Sequence, residues 1–266
     1  MRSFKIVLTV FITTTLILLA CKKNELRQSP FDGVDGKALV KFNYSSPYFY
    51  RTTAPVIPNR AVTIKINGKI VSSAITYSTP YPGGGLNTGG NSYADYLSAD
   101  PGINTISVVI PYRQRSDDSI VLYTTQVDLK ANEYQTIHIT DTAESTTHVI
   151  SYDPYNKPDS GLVLYKFVNL IPNAGPLDLY YGPNKLVSGL DYKQVSDTFT
   201  LVAGAVQTAG WMVKKKDGTA ILGSAYTASA ASTVANQRVF TVYARGYDGV
   251  PATDLRRPMV SLLYNR

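Results

Sequence analysis

From residue 37 onward the chain alternates apolar and polar residues over short runs interrupted by turn signals. In "VTIKI", Val62, Ile64 and Ile66 fall on one face, and Asn67–Gly68 follows, a pair suited to the positive φ of a two-residue hairpin. The runs "TISVVI", "SIVLYTTQVDL", "YQTIHIT", "LVLYKFVNL", "LDLYY", "RVFTVYARG" and "MVSLLYN" keep the period of two that marks half-buried strands. Beyond the N-terminal apolar segment there is no long helical stripe. Twenty tyrosines among 266 residues suit the same picture, because tyrosine favours pleated, half-buried surfaces. The pattern predicts an all-β fold.

The pattern also repeats itself. "LVKFNYSSP" returns as "LYKFVNLIP", "NGKIVSSAITY" as "PNKLVSGLDY", and "ANEYQTIHI" as "ANQRVFTVY". Two copies follow, residues 37–142 and 161–266, joined by a linker at 143–160. Each is long enough for one modest core, so the expected architecture is two tandem Ig-like antiparallel β-sandwich domains. In the second copy, "FVNLIPNAGPLDLYY", "KLVSGLDY" and "VSDTFTLVAG" (Phe167–Gly204), followed by "FTVYARG" (Phe240–Gly246), resemble the bacterial domain of unknown function 4397. The resemblance covers both copies and is sharper in the second. It implies exported β-rich domains, often paired and frequently carried on lipoproteins of Bacteroidetes-like envelopes, and it brings no catalytic residues.

The first twenty residues change the picture of location. Arg2 and Lys5 precede an apolar run, Ile6–Ala20, shorter than the ~20 residues a spanning helix needs, so an export signal is expected at 1–20. The run ends in "LLAC", which resembles a bacterial lipoprotein signal with Cys21 as the acylated residue. Cys21 is the chain's one cysteine, so no disulfide is expected. Residues 21–36, rich in polar residues with Pro and Gly, read as a flexible tether. The expected location is the outer membrane, reached through a lipid anchor. Lys22–Lys23 departs from the acidic flank associated with surface export and leaves open which face of that membrane the protein occupies.

The net charge of +7 does not point to nucleic acid, because the positive residues are scattered. The one run, Lys214–Lys216, precedes Asp217–Gly218 and reads as a solvated turn. Weak, salt-sensitive attraction to anionic headgroups or acidic polysaccharide is the more natural consequence.

"GLNTGGNS" (Gly85–Ser92) meets every requirement of a phosphate-binding loop except one, since Asn91 stands where lysine belongs. Between Tyr77 and Asp95 the first copy has 17 residues where the second, between Tyr192 and Asp197, has four. The glycine-rich stretch is thus an insertion, with prolines at its entry and no room for the helix a phosphate loop must open. No nucleotide is expected. The insertion reads as a flexible, decorated loop whose removal would change stability little.

A second insertion, Asn43–Arg60, and the connection "RQRSDDS" share one end of the first copy with it if neighbouring strands simply alternate in direction. That end would present Tyr44, Tyr48, Phe49, Tyr50, Arg51, Tyr81, Tyr93 and Arg113, residue types that stack on sugars or anchor protein interfaces. The alternative is that these tyrosines pack down their own loops. His138 alternates out of phase with Ile137 and Ile139 and is expected to face solvent, while His148 falls in the linker. Neither metal-ligand spacing nor a G-x-S-x-G elbow occurs, so neither a metal site nor a serine triad is expected. Asp95 and Asp197 correspond in the repeat and read as structural, and Asp117–Asp118 reads as a solvated turn. No cofactor is expected. These readings converge on a non-catalytic lipoprotein that binds or scaffolds an extracytoplasmic glycan or protein. A glycan-processing enzyme with unrecognised carboxylates and a purely structural envelope protein are the alternatives.

Overall fold

The period-two runs are strands. The computed structural model describes residues 34–46, 61–111, 120–207, 210–223 and 230–266, and these hold seventeen strands, two short 3-10 turns and no α-helix. The chain divides into two units, Met1–Val34 and Asp35–Arg266, and all the described strands belong to the second.

In the first copy, β1 (Ala38–Tyr44), β9 (Tyr134–Thr140) and β10 (Thr147–Tyr152) form a sheet in the order β10-β9-β1. The free edge of β1 is covered in two stretches, by β4 (Pro80–Tyr81) and by β6 (Leu97–Ala99). A second sheet has the order β3-β2-β7-β8, from β2 (Thr63–Ile66), β3 (Lys69–Ile70), β7 (Gly102–Ile110) and β8 (Ile120–Leu129). The two sheets meet in one core: Val40, Phe42, Ile137 and Ile139 pack with Ile64, Ile106, Val108 and Leu129. Asn67 and Gly68 take the positive φ values (49° and 80°) of the expected hairpin between β2 and β3.

The second copy repeats the plan without a described counterpart of β8. β11 (Leu162–Leu170), β14 (Phe199–Val202), β16 (Val239–Arg245) and β17 (Met259–Tyr264) lie in the order β14-β11-β16-β17. β12 (Leu177–Tyr181), β13 (Asn184–Leu190) and β15 (Trp211–Lys215) form a three-stranded sheet with β12 in the middle. Their shared core is aliphatic around an aromatic group, with the Trp211 ring 4.9 Å from Tyr165 and 4.8 Å from Tyr181.

Three expectations are corrected. Two of the four sheets are mixed, because β1 and β9 run parallel, as do β11 and β16; Lys41 faces Thr136 in the first pair and Lys166 faces Thr241 at the same place in the second. The stretch 143–160 is not only a connection. It supplies β10, which pairs with β9 from Thr147↔Thr140 to Tyr152↔Gln135 and so answers to β17 in the second copy. Its strand is short and lies among polar residues, which hid it in the sequence.

The third correction concerns the glycine-rich insertion. It leaves the edge of β1 sideways, between β4 and β6, and its residues Gly85–Leu86 form β5, which pairs with Leu263 and Leu262 of β17 in the second copy. The Asn87 side chain donates to Val260 O at 2.6 Å, and its carbonyl accepts from Ser261 Oγ at 2.7 Å. The glycines permit this close approach: a Cβ on Gly85 would lie 1.7 Å from Leu262 O, and one on Gly84 1.6 Å from Asn91 O. Asn91, in the place of the phosphate-loop lysine, accepts from Gly84 N (3.1 Å) and Tyr93 N (3.2 Å) through its side-chain oxygen. The stretch is a stitch between the copies, not a decoration. Gly85→Ala is therefore expected to lower stability by about 1–3 kcal/mol, the usual cost of overpacking, and the melting temperature of the variant measures it.

Candidate functional site

The predicted aromatic end lies only partly within the described residues: Tyr48, Phe49, Tyr50, Arg51 and Arg113 fall outside them, as do Cys21 and Asp117–Asp118. Tyr44 is not on a rim. It ends β1 on the inward face it shares with Phe42, is 1 % exposed and packs in the core. Beside it is a half-open pocket of about 10 Å³ lined by Tyr44, Ser46, Val108, Leu122, Tyr123, Ile139 and Thr146, room for no more than a water. Tyr81 pairs with Phe42 and is half-buried against the same core, whereas Tyr93 is exposed. Tyr81 and Tyr93 belong to the sideways excursion along β1, so the structure does not gather them with Tyr44 at one end. Asp95 and Asp197 are both exposed.

The densest ionisable chemistry lies elsewhere, where the two five-stranded sheets turn their outer faces toward each other. In a strand, alternate residues point to opposite sides. Val40 and Phe42 of β1 point into the first core, and Lys41 and Asn43 point away from it; Tyr165 and Phe167 of β11 point into the second core, and Lys166 points away. Lys41, Asn43, Thr136, His138, Lys166 and Thr241 are nevertheless all buried. His138, expected in solvent, is 0 % exposed. The face that alternation assigns to water is covered by the other copy.

The contacts across this junction are reciprocal. The Lys41 ammonium donates to Tyr264 O, and the Lys166 ammonium donates to Tyr152 O, the corresponding carbonyl of the first copy. Between them sits Asp153, paired with Lys166 at 2.8 Å. Asp153 also accepts from Thr136 Oγ1, Ser151 Oγ (3.0 Å), Tyr96 OH (2.9 Å) and, more weakly, Thr241 Oγ1 (3.5 Å). Asn265 takes the corresponding position in the second copy and donates to Thr241 Oγ1 at 2.7 Å. Lys41 completes its surroundings with the face of Tyr96, 4.4 Å from the ring centroid.

Each titration follows from this burial. Burial lowers the Lys41 ammonium to about 8, against the attraction of Asp153 and Asp95. Burial alone would raise the Asp153 carboxyl, but the Lys166 ammonium and the hydrogen bonds from Lys166 and Thr136 outweigh it and hold the group below the usual range. Burial drives His138 down to about 3, opposed by Asp153 and reinforced by Lys166 and Lys41. His138 is thus neutral. Asn43 Nδ2 lies 2.9 Å from its Nδ1, which must accept, so Nε2 carries the proton and donates to Ser151 Oγ at 3.0 Å.

Serine, histidine and aspartate are therefore side by side, an arrangement the sequence concealed. It is not built as a nucleophilic triad. There the carboxylate orients the histidine, which in turn accepts the serine proton. Here Asp153 accepts from Ser151 and His138 donates to it, with all three side chains enclosed. The chemistry holds two sheets together. The available signal was the recurrence of lysine inside "LVKFN" and "LYKFV", a charge placed within strands apolar on either side.

A second buried carboxylate serves one sheet only. Asp178 accepts from Gly189 N (2.8 Å) and Ser188 Oγ (3.3 Å) at the bulge of β13, and from Asp217 N (3.3 Å) at the next turn, while Lys185 pairs with it at 2.5 Å. Among the described residues, no group of three or more His, Cys, Asp or Glu gathers as a metal site.

Residues 54–180 match the model of a family described as a domain of unknown function (DUF4397). The match is single, running from before β2 into β12, and it coincides with neither of the two expected copies. No curated protein matches the chain.

Two outcomes follow for the junction. Asp153→Ala strands two buried ammoniums and should cost about 3–5 kcal/mol, as breaking buried pairs does, read by urea unfolding. His138 has a folded pKa below its unfolded one, so its contribution is complete above pH 6.5 and is lost as pH falls toward about 3. Wild-type stability should therefore fall more steeply on acidification than that of His138→Gln, by up to ~1.4 kcal/mol per pH unit, in unfolding curves taken between pH 7 and pH 4.

Proposed function

We propose that this chain is a cell-envelope lipoprotein, anchored in the outer membrane through Cys21, that acts as a non-catalytic binding or scaffolding module for an extracytoplasmic glycan or protein. Residues 1–20 are its export signal, 21–36 its tether, and the two copies are tandem DUF4397 domains of Ig-like sandwich type. The observation that carries the reading is the fate of the ionisable groups. Lys41, Lys166, Asp153 and His138, the set best equipped for chemistry, are enclosed and engaged with one another between the sheets. Strand faces and loops away from this junction are left for outside partners, and such surfaces suit recognition better than turnover. Two acyl chains or more give stable anchoring, since each buried methylene contributes about 0.8 kcal/mol.

The test pairs location with binding. Cys21→Ala should abolish incorporation of labelled palmitate and release the protein into the soluble exported fraction. Tyr48→Ala with Tyr50→Ala should weaken retention on a glycan array or in an envelope pull-down, since aromatic anchors each contribute above ~1 kcal/mol. Palmitate uptake by the Cys21 variant, or unchanged binding by a folded tyrosine variant, contradicts the corresponding half of the reading.

A further inference from the structure

The outer face of the β13-β12-β15 sheet carries a tyrosine and two lysines, Tyr180, Lys214 and Lys216, that no structural role above consumes. Leu177, Leu179, Tyr181, Trp211 and Val213 point into the core, so Asp178, Tyr180, Met212 and Lys214 point outward. In register, Tyr180 stands between Lys185 on β13 and Met212 on β15, and Asp178 faces Lys214. The Lys214 ammonium lies 4.6 Å from the Tyr180 ring centroid and that of Lys185 5.7 Å. Lys216 lies across the bulge, where a Cβ on Gly189 would meet its Cδ at 3.2 Å. Asp178 and Met212 are 0 % and 6 % exposed on this face; Lys185 and Lys214 hold their charged ends over one tyrosine, and Lys216 flanks them across the bulge.

The charges do not cancel. Asp178 pairs with Lys185, but Lys214 and Lys216 make no ion pair with any described residue. Asp178, the carboxylate beneath them, is already engaged by four donors. An aromatic face attracts an ammonium but leaves its charge unneutralised. The first copy supplies an internal comparison. Its two-residue hairpin aligns Lys65 with Tyr180 and Ile70 with Lys185, and its next strand puts Ser107 and Val109 where Met212 and Lys214 stand. The same scaffold position lacks the tyrosine and two of the cations, so the cluster is not a requirement of the fold.

We infer that the outer face of β13-β12-β15 is a docking surface for an acidic polysaccharide, with uronate carboxylates bridging Lys214 and Lys216 beside Tyr180. Two cations without an ion-pair partner among the described residues, Lys214 and Lys216, stand two residues apart in the chain and so complement the repeated carboxylates of such a polymer. The inference deepens the binding-module reading and depends on it, while using a surface separate from the loops of the first copy.

Binding of polygalacturonate to the full-length protein in mild detergent, measured by affinity electrophoresis at low ionic strength, tests it. Neutral dextran and vesicles containing phosphatidylglycerol serve as parallel probes. Wild type should bind polygalacturonate and not dextran, and added salt should weaken the binding. Lys214→Glu with Lys216→Glu should weaken it about tenfold or more, whereas Lys65→Glu on the first copy should leave it within about twofold. Absence of wild-type binding overturns the inference. So does an equal loss in Lys65→Glu, which would make the attraction one of net charge, or binding to the vesicles in place of the polymer. Melting temperatures confirm that each variant is folded. A negative result here combined with a positive tyrosine-variant result on the glycan array removes this surface and keeps the binding module.

Discussion

The placement of Asp153 between two buried lysines is the constraint on which the arrangement of the two copies depends. Lys41 and Lys166 occupy the same position in their respective sheets, and each reaches a carbonyl of the other copy's final strand or its counterpart. One carboxylate, held by a salt bridge and hydroxyl donors, offsets one of their two charges. A buried ammonium without such partners carries a desolvation cost that its fold must offset elsewhere. The sheets are therefore tied into one register, because sliding one against the other would separate several charged partners at once.

Around this centre the remaining contacts divide by chemistry. A small apolar cluster of Val168, Leu170, Tyr243 and Leu263, with Val149 packed against it, adds burial. Thr140 Oγ1 donates to Leu170 O at 2.9 Å, and Tyr247 OH to Asp141 at 2.6 Å. On another side the rings of Tyr134 and Tyr155 stack at 3.7 Å, and the Arg266 guanidinium lies 4.7 Å from Tyr155. β5 then carries backbone of the first copy onto the sheet of the second, with Arg245 reaching both Ser261 Oγ (3.2 Å) and Asn87 O (3.4 Å). Hydrophobic burial supplies attraction without direction; the polar groups supply the register.

The same logic separates interior from exterior chemistry. Asp153 and Asp178 are both buried carboxylates fed by several donors, and each joins backbone segments that would otherwise be free to move. The lysines they leave unmatched, Lys214 and Lys216, lie on an outward face, Lys214 half-buried and Lys216 exposed. On the proposed docking face, recognition and cohesion draw on the same residue types, and burial separates the two roles.

Much of this was legible in the residues alone. Alternation in "VTIKI" and "YQTIHIT" determined strands, Asn67–Gly68 determined a hairpin, and the return of "LVKFNY" as "LYKFVN" determined two copies of one plan, because side-chain period and turn conformation are local properties of the chain. His138, Tyr44, Tyr152 and the glycines of "GLNTGGNS" were not legible in that way. Alternation says that His138 and Ile137 point to opposite faces, but not that a second sheet covers the face of His138. Glycine spacing says that backbone must pass close to something, but not that the neighbour is Leu262, far along the chain. Local pattern determined which way each residue points; only the tertiary structure decided what stands opposite, because the partner comes from the other copy, and contacts across such distances in sequence leave no period to read.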